Sequence, residues 1–199
     1  MAVDYLTVAE LAGSLTLTDT FADADLAQAI TAASRDVDRR CNRSFSSVVQ
    51  TRYYTPQDAR VVWVDDLRGD QTFTITVDLA LRQVFDRTLV AGTDFVLEPL
   101  NAVADGAPAT SVRLLPYSSA YFPVSERTVR VAGTFGWAAV PAEVKQATGM
   151  LATRFMKRLR EAPFGVAGFG IDGGAVRVSS FDPDVDALLA GLVRTNHAF

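Results

Sequence analysis

Apolar positions recur along this chain with two spacings, and each spacing predicts a different kind of element. Between 23 and 43, Leu26, Ile30, Ala33, Val37 and Cys41 fall three or four apart and line one face of an α-helix. Asp23 or Asp25 stands where a cap is wanted, and Asp25 with Gln28 has the capping-box spacing. The helix is expected to stop near 42–44. Asp36 and Arg40, four apart on another face, form a plausible surface pair. Upstream, Thr7 and Glu10 match the capping box and predict one short helical turn.

From 47 to 137 the period shortens to two. The stretches 48–54, 61–64, 72–77, 94–97, 112–115 and 128–135 are β-branched or aromatic, often alternating, and read as short strands. Turn residues separate them: Pro56, Arg68-Gly69-Asp70, Ala91-Gly92 and Asp105-Gly106. Such spacing suits an antiparallel sheet or small sandwich better than βαβ units. The segment 101–108 reads as an exposed loop.

Helical spacing then returns. Pro141 stands at the first position of a helix over 141–161, where its missing N–H costs nothing. Val144, Ala147, Leu151, Phe155 and Leu159 form its buried stripe, and Gly149 suggests close approach by another helix. A glycine-rich arm, 163–174, and a strand, 175–180, lead to a closing helix over 182–194. Its stripe is Val185, Leu188, Leu189 and Leu192. Three turns are too few to be stable alone in water, so that helix must dock on something, and the arm lets that something lie off the parent domain. The predicted fold class is α+β: two long helices bracket an antiparallel β-rich insertion over 47–137. The domains are 1–162 and the C-terminal arm and helix, 163–199.

Composition narrows the function. A chain of 199 residues, 49% hydrophobic and 21% charged, can bury a real core. A net charge of −4 and a pI near 5.0 argue against a sequence-reading nucleic-acid binder, although an acidic wall lets DNA slide past. No apolar run approaches the roughly 20 residues that cross a bilayer, and the first residues lack the basic-then-apolar order of a signal peptide. Cys41 is the only cysteine, so no intrachain disulfide forms; on an apolar stripe it reads as a small buried hydrophobe.

Candidate chemistry is sparse. His197, the only histidine, is two residues from the end of the sequence, a poor support for a catalytic group. One Cys and one His cannot close a zinc site. Asp182, Asp184 and Asp186 mimic half a calcium loop, but Ala187 and Val193 stand where glycine and a bidentate Glu belong. Asp65, Asp66 and Asp70 read as a solvated turn cluster without a nearby His or Lys. Gly165, Gly168, Gly170, Gly173 and Gly174 follow a helix, so they lack the strand-to-helix setting of a phosphate loop. The expectation is no catalytic residue, no metal and no cofactor. Arg154, Lys157, Arg158 and Arg160 make a basic patch that reads as a solvated face, an acidic-partner contact or a phosphate contact.

The order of these elements and three local patterns resemble the head–tail connector (head-completion adaptor) proteins of tailed bacteriophages. The patterns are YLTVAELAGSL with DADLAQAITAASRDVDRRCNRSF, then GTDFVLEPLN with ATSVRLL, then VRVAGTFGWAAVPAEVKQATGMLATRFMKRLRE. The closing GVAGFG and VRVSSFDPDVDALLAGLVR are similar to members of that family too. The resemblance implies a virion neck protein, held in the host cytoplasm before assembly. It implies a dodecameric ring beneath the portal that prolongs the DNA channel, without sequence-specific DNA binding or membrane contact, and seats a stopper or tail-completion protein. The C-terminal segment would engage the portal through Phe164, Phe169, Phe181, Val185, Leu188, Leu189 and Leu192. Arg154, Lys157 and Arg158 would meet Asp36 and Asp38 of the next subunit. Rival readings are another neck protein such as a stopper, or a small-ligand-binding or hydrolytic β-domain.

Overall fold

Thr7 and Glu10 open the first helix of the computed structural model, which describes residues 3–14, 22–161, 166–169, 175–177 and 183–194. The Thr7 N–H donates to Glu10 Oε2 at 2.7 Å and the Glu10 N–H to Thr7 Oγ1 at 3.2 Å, closing the capping box over α1 (Val8–Ser14). α2 spans Asp23–Cys41 and buries the stripe from Leu26 to Cys41. Its N-cap is Ala22, with no side-chain hydrogen bond. Asp23 and Asp25 therefore act as first-turn charges on the helix dipole rather than as the expected caps. The helix ends at Asn42, in the left-handed region at φ 51, where asparagine is tolerated. α3 (Ala142–Glu161) buries Val144, Ala147 and Leu151 as expected. The buried face continues to Ala152 and Met156, which leaves Phe155 half-buried. At Gly149 the close neighbour is the Leu6 side chain, 3.4 Å from where a Cβ would sit, rather than another helix backbone.

The insertion supplies β1 (Val48–Tyr54), β2 (Val61–Leu67), β3 (Thr74–Val77), β4 (Arg87–Leu89), β5 (Phe95–Glu98), β6 (Ala109–Leu114) and β7 (Val129–Phe135). They form one antiparallel sheet in the order β4-β3-β7-β2-β6-β5, with β1 also on β7. β7 is the spine. β1 follows it from Val48↔Phe135 to Tyr54↔Val129, while β3 pairs with residues 129–132 and Leu67 of β2 with Phe135. Alternation along β7 buries Val129, Val131 and Phe135, which meet Val62, Ile75, Phe95, Val112 and Phe122 in one core.

Two expectations change here. β4 was not legible as a strand, and β2 runs three residues further, so Asp65 and Asp66 belong to a strand instead of a solvated turn. Asp65 is held by Arg52 at 2.8 Å and by the Tyr54 hydroxyl at 3.1 Å, and Asp66 is buried.

Beyond α3, the arm contains β8 (Val166–Phe169), paired antiparallel with β9 (Ala175–Arg177). Gly168, part of the stretch that suggests an extended tether, lies within β8, and the other glycines of the arm fall outside the described residues. α4 (Pro183–Leu189) starts on its proline and passes into a 3-10 turn, Ala190–Leu192. The described residues divide into a helical unit, within 1–44 and 140–196, and a β unit, within 45–139.

Candidate assembly surfaces

α4 has a seat on its own chain. It packs on α3 with Val185 and Leu189 fully buried. The stripe read from the sequence is thus split: Leu188 and Leu192 stay half-buried, while its other two members are used inside the helical unit. Two polar contacts hold the same docking. Arg40 Nη1 lies 2.6 Å from Asp186 Oδ1, and the Arg194 N–H donates to the Cys41 carbonyl at 2.8 Å. The second bond satisfies one of the carbonyls that the last turn of a helix leaves without a partner. Phe164, Phe181, Asp182 and His197 lie outside the described residues, as do the side chains of Phe169, Leu159 and Arg160.

Asp36 and Asp38, both expected at a subunit contact, have partners within the chain. Asp36 accepts from Arg39 at 2.8 Å and from Arg40 at 2.9 Å, which realises the predicted i,i+4 pair. Asp38 accepts from the Tyr5 hydroxyl and sits 3.2 Å from Arg35. Burial pushes the Asp38 carboxyl above its usual value, against the opposing pull of Tyr5 and Arg35. On α3, Lys157 is exposed, and Arg154 and Arg158 are half-buried.

The N-terminal strap is latched onto α2 by a ladder of polar contacts. Arg35 donates to the Val3 carbonyl at 2.6 Å, Thr31 to Asp4 at 2.9 Å, and the Tyr5 N–H to Ser34 at 3.1 Å. Ser34 is itself buried and returns its hydroxyl proton to the Ile30 carbonyl at 2.8 Å.

In the β unit, the pairings set Tyr54, Val77 and Arg87 beside Val129 at the start of β7, and Val61 and Phe95 beside Arg113 and Leu114 at the end of β6. The β3–β4 and β6–β7 loops expose Leu81, Val84, Tyr117, Tyr121 and Val124. Two buried aspartates shape them. Asp78 accepts from the Gln83 N–H at 2.5 Å, and Asp94 from the Val90 N–H and the Ser118 hydroxyl at 2.9 Å each. Those bonds, the Val90 one first, hold the Asp94 carboxyl below its usual value, with Arg87 adding to them. Little in the sequence marks these exposed apolar side chains, because they are scattered singly through turn-rich stretches. Elsewhere, a depression lined by Arg68, Asp70, Val103 and Pro108 spends its charges on each other. Arg68 and Asp70 meet at 2.5 Å, which lowers the Asp70 carboxyl to about 2.

No protein-family model and no curated protein matches the chain. Solved structures of similar fold do exist. One is a chain from the neck of an empty gene transfer agent (GTA) particle, computed with C6 symmetry. It is 19% identical, with a TM-score of 0.53, over 98% of this chain and 93% of that one. Another comes from the neck of the native GTA particle, computed with C12 symmetry. It is 17% identical, with a TM-score of 0.52, over 100% of this chain and 98% of that one. The likeness thus spans helices, sheet and C-terminal region together, and what it shows is a shared fold.

Proposed function

We propose that this chain is a non-enzymatic structural protein of the neck of a phage-like particle, and within the neck the adaptor that lies beneath the portal. The observation that carries the reading is the end-to-end similarity of fold to chains found in GTA necks. The element order and sequence patterns that resemble phage adaptors point the same way. Copies form a ring, dodecameric by that resemblance, through which DNA passes without being read. The ring seats a stopper or tail-completion protein on its far side.

The portal contact uses the outward half of the closing stripe, Leu188 and Leu192, together with Phe164, Phe169 and Phe181. Val185 and Leu189 support it from beneath by fixing α4 on α3. Between subunits, Lys157 with Arg154 and Arg158 forms the cationic face. Asp36 and Asp38 join the opposing face only by exchanging their intrachain arginines for those of a neighbour.

The test is attachment to purified portal-bearing capsids, read by sedimentation and electron microscopy. The intact chain is expected to bind as a ring at the portal vertex and to permit later addition of the stopper. The Leu188→Asp, Leu192→Asp double variant should fold and fail to attach. Normal attachment of that variant removes the portal contact from α4. Binding only after another neck protein is in place makes the chain a stopper instead.

A further inference from the structure

Among the described residues, the seven of β1 pair along only one of their two edges. The Thr134 carbonyl accepts from Arg68 at 2.9 Å, and the Gly136 N–H donates to Asp66 at 2.6 Å. Even-numbered positions of β7 therefore aim their backbone groups at β2 and β3, and odd-numbered ones at β1. The odd positions stand opposite Val48, Gln50, Arg52 and Tyr54. The N–H and C=O groups of Val49, Thr51 and Tyr53 consequently point away from β7, and no described strand pairs there.

Natural sheets blunt such an edge with proline, lysine or a bulge. β1 contains no proline or lysine, and its register with β7 is unbroken over all seven residues. Its one charge, Arg52, is turned back on its own unit, 4.3 Å from the Phe135 ring centroid and 2.8 Å from Asp65. Val49 is 79% exposed and Tyr53 43%. The other outer strands, β4 and β5, are three and four residues long.

The same chain carries a complementary shortage. Among the described strands β8 and β9 pair only with each other, and an isolated two-stranded hairpin is marginal in water until a further strand joins it. A cyclic assembly needs two unlike, mutually fitting surfaces on one subunit. An open seven-residue edge and an incomplete hairpin are such a pair, and the chains of similar fold come from particles computed with C6 and C12 symmetry.

We propose that the free edge of β1 takes the β8–β9 hairpin of a second copy of this chain, joining copies head to tail by strand addition. The proposal rests on the ring part of the neck reading and gives that ring a specific contact.

A synthetic peptide covering 164–179 tests it, added to the full-length protein while amide hydrogen exchange is followed. The expected result is slowing of roughly tenfold or more at Val49, Thr51 and Tyr53, with Gln50 and Arg52, already bonded to β7, unchanged. Thr51→Pro removes an N–H on the unpaired side, where a strand tolerates proline, and should fold yet lose the slowing. Val49→Lys with Tyr53→Lys should do the same by placing charge on the edge. Unchanged exchange at millimolar peptide overturns the proposal, and so does slowing that survives in both variants. Assembly on portal-bearing capsids separates this contact from the neck reading. A chain that joins them with its three β1 amides still exchanging freely loses the edge contact alone. A chain with protected amides that ignores such capsids loses the neck reading alone.

Discussion

The Arg40 guanidinium stands 2.6 Å from Asp186 and 2.9 Å from Asp36, so one cation ties α4 to the last turns of α2. Arg40 is 27% exposed and Asp186 36%, which leaves the Arg40–Asp186 pair well screened. A double-mutant cycle of Arg40→Ala and Asp186→Ala should give a coupling of about 0.2–1 kcal/mol. Leu189→Ala, by contrast, removes a fully buried side chain and should cost about 2–5 kcal/mol. Urea unfolding of the variants checks both. A neutral Leu189→Ala would mean that α4 is not seated on its own unit.

Cys41 reports on the same seat. It is completely buried, its carbonyl accepts from Arg194, and burial lifts its thiol to about 11. At pH 8 about one thiol in a thousand would be ionised even if a reagent could reach it. Reaction with a thiol reagent should be negligible in the native protein and complete after denaturation. The Leu189→Ala variant should react faster than the native chain, because opening of α4 precedes access. Equal rates in the two proteins would separate Cys41 from the α4 contact.

Much of this architecture was legible because local pattern and tertiary burial agree. The stripe from Leu26 to Cys41 had one face to hide, and the alternation at 48–54 and 128–135 matched two paired strands almost residue for residue. β4 escaped notice because three residues carry no period, and the loop before it turns on Leu81 and Gln83, positive-φ residues that do not advertise a turn. Asp65 and Asp66 misled because carboxylates favour turns, yet here Arg52, Tyr54 and burial override that bias. The closing stripe was real, but an amphipathic pattern says only that a groove exists, not whose groove it is. Val185 and Leu189 found theirs on α3.

Acid should weaken the β unit through Glu98. Arg113, 2.6 Å away, holds the Glu98 carboxyl below its usual value, and the Ser111 hydroxyl adds to this. A depressed folded value means the contribution is present above the unfolded value of about 4.3 and is lost as pH falls through the folded one. Because Arg113 is 52% exposed, the amount is small, under about 1 kcal/mol. Glu98→Gln should be slightly less stable than the native chain at pH 7, with the gap closing towards pH 3. A gap that widens in acid would contradict the assigned sign.

Gly136 is the position where one added carbon should do the most damage. It follows β7 at φ +108, a conformation that L side chains rarely adopt. A Cβ there would lie 1.8 Å from the Ser46 carbonyl oxygen and 3.1 Å from Ser47 Cα, so the obstacle is backbone, which cannot rotate aside. The Gly136 N–H also donates to Asp66 at 2.6 Å, which fixes the peptide from the other side. Gly136→Ala must therefore displace either the start of β1 or the β2–β7 junction, and should cost several kcal/mol, above the roughly 1–3 kcal/mol of conformational strain alone. Gly106→Ala is the internal control: it shares a positive φ, +69, but a Cβ there meets nothing within 4 Å. Thermal unfolding should rank the variants with Gly136→Ala far below Gly106→Ala. Equal losses would show that backbone angle, and not the closeness of Ser46, sets the need for glycine where the chain leaves the sheet.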